Sequence, residues 1–311
     1  MTILDADAAA IVEAMEKAGI PPLYQVGLQA ARARAAAVLP SPTPEMTEVT
    51  DSSFEGPHGT VPVRVYRPTE TANAPAIVYF HGGGMIMGTL DTFDGLARNL
   101  AASCEAVVIS VDYRLAPEHP YPVANDEAYE ALAWAHRSAH DLRIDPARIA
   151  VAGDSAGGTL AAAAALHARD ESGPPILAQL LFYPGVEREV DRPSMAEFAD
   201  GPVITRGDIV WMKNAYLGPD PSTDTAYGVP ALTEDLSGLP DAIVVSAEAD
   251  PIRDGVEEYG QRLRAAGVPT ALLRYPGVCH GFLSQAASVG RARTAFAEIG
   301  ALTRTKFAAA R

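Results

Sequence analysis

Six short, nearly uninterrupted apolar runs, at 76–80, 106–111, 149–152, 178–182, 242–246 and 270–274, recur along the chain with helical stretches between most of them, around 90–102, 126–139, 156–168 and 255–266. Runs without polar alternation suit strands buried on both faces, the situation of a parallel sheet sandwiched between helices. Their regular succession predicts a doubly wound α/β fold. A hairpin precedes them, with a strand near 46–54 turning across Gly56-Pro57-His58-Gly59 into a second at 61–66. Together these give a mostly parallel, eight-stranded sheet with helices on both faces.

Two regions depart from this rhythm. Residues 5–39 read as two helices, with Ile11, Met15 and Ala18 at helical spacing and an interruption at Gly19-Ile20-Pro21-Pro22. The stiff connector Pro40-Ser41-Pro42-Thr43-Pro44 then sets them off as an accessory layer. The interval between Tyr183-Pro184 and Leu239-Pro240 is too long for an ordinary crossover and reads as an insertion. Its apolar residues, among them Phe198, Ile204, Ile209, Trp211, Met212 and Tyr216, need a surface to cover, and a lid over the sheet supplies one. No 20 to 50 residue repeat is visible, which excludes a solenoid.

Charge narrows the partners. With 24 basic and 39 acidic residues among 311, the net charge is −15, and no basic cluster offsets it. A polyanion of this kind repels nucleic acid and anionic lipid surfaces. Two cysteines, Cys104 and Cys279, are too few for a disulfide framework and form no CxxC or CxxH pair. The start of the chain is acidic where a secretory leader needs Lys or Arg, and the longest alanine-rich run, 159–166, is far shorter than the ~20 residues of a membrane span. The expectation is a soluble cytoplasmic protein.

Chemistry is concentrated at strand ends. Gly153-Asp154-Ser155-Ala156-Gly157 follows one apolar strand and opens a helix of small residues, the setting in which G-x-S-x-G lifts a serine on a sharp turn. A P-loop lysine and the glycine spacing of a dinucleotide site are both missing from it. His81-Gly82-Gly83-Gly84 follows the strand ending Val78-Tyr79-Phe80. Consecutive glycines there let backbone N–H groups approach a developing oxyanion. His81 precedes the serine and reads as an orienter of this loop.

Of the seven histidines, His280 alone follows both the serine and a late strand, which makes it the candidate base. His58 sits in the hairpin turn, His119 in a proline-rich loop, and His136, His140 and His167 on or beside helices. A carboxylate must fix the imidazole, and Asp250 fits, thirty residues earlier in the loop after the preceding strand. Glu248 and Asp254 are its neighbours, Asp254 reading as the start or cap of the next helix.

With these segments assembled, the chain resembles the hormone-sensitive-lipase-like esterases of the α/β-hydrolase fold, often called bacterial family IV. The likeness rests on His81-Gly82-Gly83-Gly84, Asp112-Tyr113-Arg114-Leu115-Ala116-Pro117-Glu118, Gly153-Asp154-Ser155-Ala156-Gly157-Gly158, Asp250-Pro251-Ile252-Arg253-Asp254 and His280-Gly281-Phe282, in that order. The resemblance implies Ser155 as nucleophile, His280 as base, Asp250 as orienter, and the N–H groups of Gly83, Gly84 and Ala156 as oxyanion donors. It also implies a cap built from N-terminal helices (1–45) and an insertion at about 186–225, the catalytic unit being 46–311. Asp112, Tyr113 and Arg114 are expected to buttress the glycine loop. Met85 stands where members often carry Trp or Phe, and Gly255 where Glu is frequent.

The implied activity is hydrolysis of short- to medium-chain acyl esters, with no metal or organic cofactor. The same machinery could serve an aryl amide, lactone or carbamate; a small-molecule receptor on this fold would keep the cap and pocket but have a broken triad, whereas Ser155, His280 and Asp250 are all present here. Met85, Phe198, Trp211 and Met212, with Met87 nearby, are expected around an apolar substrate pocket, the alternative being a core between cap and sheet. The last strand, 270–275, would form a sheet edge able to pair with its copy in a homodimer. Cys279, beside His280, is either a reactive thiol or a buried inert one.

Overall fold

The computed structural model describes residues 3–37, 43–188 and 190–310. Eight strands form one sheet: β1 (Glu48–Gly56), β2 (Gly59–Arg67), β3 (Ala74–Phe80), β4 (Val107–Val111), β5 (Ile144–Asp154), β6 (Ala178–Phe182), β7 (Asp241–Ala249) and β8 (Thr270–Cys279). Their spatial order is β1-β2-β4-β3-β5-β6-β7-β8. β1 and β2 form the expected hairpin, closing at Gly56 opposite Gly59, and β2 meets β4 antiparallel. From β4 to β8 every pairing is parallel.

Alternation along each strand splits the core in two. Ala76, Val78 and Phe80 of β3 and Ile149 and Val151 of β5 turn to one face, while Ile77, Tyr79, Ala150 and Ala152 turn to the other. Helices α5 (Val123–Arg137), α6 (Ala156–Asp170) and α9 (Arg253–Ala265) cover the first face. The second is covered by α4 (Asp94–Cys104) and α10 (Gly290–Ala309). A sheet covered on both sides has little need of polar alternation, hence the continuous apolar runs.

The N-terminal segment differs from the two helices expected. It forms three, α1 (Ala6–Lys17), α2 (Leu23–Val26) and α3 (Leu28–Ala36), because Gly27, at φ 77°, breaks the second. Residues Pro40, Ser41 and Pro42 of the connector lie outside the described residues. α1 is tied to β8 by Asp5 N–H donating to Gly277 O (2.8 Å) and to the start of α10 by Gly290 N–H donating to Asp7 (2.6 Å). α3 is tied to the glycine loop by Arg32, which donates to Ile86 O (2.7 Å) and Ala116 O (3.0 Å) and pairs with Glu118.

The insertion after β6 contains α7 (Pro193–Glu197) and α8 (Arg206–Leu217). Thr205 and Asp208 form a reciprocal capping box at the start of α8. The same Asp208 carboxylate accepts Tyr24 N–H of α2 at 2.9 Å, joining the two accessory regions.

Candidate active site

The site is assembled at the carboxyl ends of β3, β5, β7 and β8. Ser155 follows β5 directly and is the N-cap of α6, with φ 54° and ψ −118°, a left-handed conformation rare for a residue with a side chain. Only a glycine tolerates the crowding around that turn: a Cβ on Gly157 would stand 1.9 Å from Phe80 O. The turn is further pinned by Ser155 N–H donating to Phe182 O at 2.8 Å.

His280 and Asp250 come from the loops after β8 and β7. His280 Nδ1 lies 2.7 Å from Asp250 Oδ2, and Nε2 lies 2.8 Å from Ser155 Oγ. Asp250 Oδ1 accepts Ile252 N–H at 3.0 Å, which fixes the carboxylate plane. An ionised carboxylate can only accept, so Nδ1 carries the proton and Nε2 is left to accept the serine O–H. Burial alone would push the imidazole pKa down, but the carboxylates of Asp250 and then Asp154 outweigh it and hold it above the ordinary value.

The neighbouring candidates are engaged elsewhere. Glu248 accepts Gly277 N–H at 2.9 Å, and Asp254, in the first turn of α9, accepts Ser194 N–H of α7 at 2.8 Å. His81 stacks between Phe93 and Tyr113, with Nδ1 2.7 Å from Gly82 O. Burial pushes its pKa down to about 4, so it stays neutral and braces the loop. Tyr113 donates to His81 O (2.7 Å), and Arg114 N–H to the buried Glu127 (2.8 Å). The Cys279 thiol is buried and pushed up to about 12, chiefly by burial and then by Asp250, which keeps it protonated.

Ser155, His280, Gly84, Ala156, Met85 and Met212 border one cavity, which encloses about 580 Å3 with its open mouth included. Gly83, the third expected oxyanion donor, is not among the residues bordering it, and its carbonyl accepts from Ile86 and Met87 (both 3.1 Å). Gly83, Gly84 and Met85 have φ of 111°, 64° and 64° in succession. Phe198 and Trp211, expected in the pocket, are elsewhere. Along α8, Ile209, Met212, Lys213 and Tyr216 face the cavity at helical spacing, which turns Trp211 away to pack on the neighbouring core. Phe198, at the end of α7, sits in a separate cluster with Ala249 and Cys279.

Sequence reasoning missed Asp154, Glu187 and Lys213. Glu187 also explains the unexpected Gly255: its carboxylate, paired with Arg192 at 2.8 Å, stands 2.1 Å from where a Cβ on that residue would be. Among the described residues no three His, Cys, Asp or Glu side chains gather into a group able to hold a metal, and no helix is long and apolar enough to cross a membrane.

Comparison with known proteins agrees with this fold. Residues 77–284 match the family model described as the alpha/beta hydrolase fold. Esterase LipI of Mycobacterium tuberculosis is 42% identical over 86% of this chain and 85% of its own. An arylesterase of Saccharolobus solfataricus is 35% identical over 98% of this chain and 99% of its own. Among solved structures, a thermostable esterase from Pseudomonas putida superposes with a TM-score of 0.93 at 31% identity, covering 99% of this chain and 98% of that one. The fold and site thus define an α/β-hydrolase. Within that fold, the chain belongs to the hormone-sensitive-lipase-like family of carboxylesterases.

Proposed function

We propose that the protein hydrolyses short- to medium-chain carboxylic esters through an acyl-enzyme on Ser155. Ser155 Oγ attacks the ester carbonyl while His280 Nε2 takes its proton. The resulting oxyanion is held by the N–H groups of Gly83, Gly84 and Ala156, and Asp250 stabilises the imidazolium. Collapse of the intermediate expels the alcohol, which receives the proton from His280. Water, deprotonated by the same imidazole, then attacks the acyl carbon and releases the acid, restoring the serine.

The observation that carries this reading is the continuous relay Asp250–His280–Ser155, at 2.7 and 2.8 Å, opening into a cavity bordered by Met85, Met212, Leu217, Val229 and Ile252. Apolar walls of that extent suit a small acyl or alcohol group in place of an emulsified lipid. Helices α1–α3 and the insertion with α7 and α8 act together as the cap, α8 supplying the wall through Ile209, Met212 and Lys213. The two free thiols and the anionic surface fit work on small esters in the cytoplasm.

The test is turnover of p-nitrophenyl esters from acetate to palmitate by the wild type and by Ser155→Ala. Activity peaking at short or medium chains and vanishing in the variant is expected. Undiminished turnover by Ser155→Ala rejects the nucleophile, and preferential cleavage of an aryl amide, lactone or carbamate rejects the substrate class.

A further inference from the structure

The aspartate immediately before Ser155 carries no part in the mechanism above, yet it is among the most buried carboxylates in the protein, with 3% of its surface exposed. Its Oδ1 accepts the Tyr79 hydroxyl at 2.6 Å and Gly82 N–H at 2.9 Å. Among the described residues no arginine or lysine is one of its hydrogen-bond partners. Gly82 precedes the oxyanion donors Gly83 and Gly84, and its backbone is close enough that an added Cβ would stand 2.5 Å from Asp154 Oδ2. A buried carboxylate without a cation is costly, and alternatives of the same size without charge exist.

We propose that Asp154 is a positioning residue for ester hydrolysis: it fastens the oxyanion loop to the nucleophile turn through Gly82 N–H and lends His280 a second negative charge. The first role follows from chain geometry. Asp154 is fixed by β5 and the turn at Ser155, so a loop held by its carboxylate is held at a set distance from the attacking oxygen. Donors displaced by even a fraction of an ångström lose the oxyanion where its charge develops. The second role follows from the same turn: Asp154 adjoins Ser155, whose Oγ lies 2.8 Å from His280 Nε2, so its carboxylate is a second negative charge near the imidazole after that of Asp250. The buried phenols of Tyr79, Tyr113 and Tyr183 are held above their ordinary range by burial first and by Asp154 next, so they stay neutral and leave the charge to act on the imidazole. Burial raises the Asp154 carboxyl to about 6 against the opposing pull of Tyr79 and Gly82, which leaves it ionised near neutrality.

This inference rests on the assignment of Ser155 and His280, and the experiment separates the two. Asp154→Asn keeps an oxygen for Gly82 and Tyr79 but removes the charge, whereas Asp154→Ala removes both. With p-nitrophenyl butyrate, Asp154→Ala is expected to lose about 10²-fold in kcat with KM within about threefold of wild type. Asp154→Asn is expected to stay within about tenfold in kcat at the alkaline plateau, while the acidic limb of its kcat/KM profile moves to lower pH by about half a unit. A kcat for Asp154→Ala within about threefold of wild type overturns the proposal. So does an acidic limb in Asp154→Asn that coincides with the wild type's, and this arm decides alone where the alanine variant fails to fold. Turnover surviving in Ser155→Ala, run alongside, would instead reject the underlying assignment.

Discussion

His280 is held from both sides, and the two hydrogen bonds have different consequences. The bond to Asp250 sets the tautomer and the orientation of the ring, so Asp250→Asn, which presents an amide donor to Nδ1, is expected to lower kcat by about 10⁴ with little effect on KM. A small loss, measured by steady-state hydrolysis, would make Glu248 or Asp254 the carboxylate that matters. The raised imidazole pKa fixes the sign of the pH dependence. The base must be neutral, so activity is expected to fall as pH drops through a value above the ordinary 6.5, with a plateau on the alkaline side. A limb centred below 6.5 in a kcat/KM profile contradicts the charge arrangement around His280. How far residues like these can be read from sequence depends on whether their setting is local. Ser155, His280 and Asp250 each announce themselves by following an apolar strand. Asp154 does not, because Tyr79 and Gly82 lie 75 and 72 positions away, and the need for Gly255 is visible only once Glu187 is seen above it.

Elements follow the same rule. Strands β3, β4 and β6 to β8 begin within two residues of their apolar runs, because burial on both faces leaves a local signature. β5 begins five residues early, at Ile144, since Asp145, Pro146 and Arg148 conceal a stretch that starts by pairing Ala74 with Ile144. The side of α8 that meets the cavity was not legible either: its apolar residues include both Met212 and Trp211, and only the packing of the insertion decides between them. That packing depends on Asp208, which caps α8 and also accepts from α2. Asp208→Ala leaves Thr205 as the N-cap but removes the N3 half of the capping box and the acceptor of Tyr24 N–H, and is expected to cost about 1–2 kcal/mol and to lower the thermal midpoint accordingly. Since α8 carries Met212 and Lys213 into the cavity wall, KM should rise more than kcat falls. Calorimetry and steady-state kinetics on the one variant check both, and an unchanged thermal midpoint would mean that α8 is held by its apolar contacts alone.

At the scale of the whole molecule the sheet has two unequal edges. β1 presents Glu48, Asp51 and Glu55 along an almost wholly exposed strand, the kind of charged edge that discourages pairing with another chain. At the opposite end, Thr270, Ala271, Leu272 and Leu273 of β8 are half-buried and uncharged, and Arg274 is folded back onto Glu257 of α9 at 2.6 Å. The outer row of N–H and C=O groups of β8 therefore has no charge guarding it, and antiparallel pairing with a second copy would continue the sheet across a two-fold axis. Opposing this is the −15 charge on each chain, a repulsion that reaches further as salt is removed because the screening length grows from about 8 Å at 0.15 M to about 30 Å at 0.01 M. The edge and the charge together predict a dimer at physiological ionic strength that loosens toward monomer in dilute buffer. Light scattering at micromolar concentration across a salt series measures this directly. A monomer at every ionic strength rejects pairing through β8, and a dimer indifferent to salt places the interface away from the acidic surface that sets the net charge.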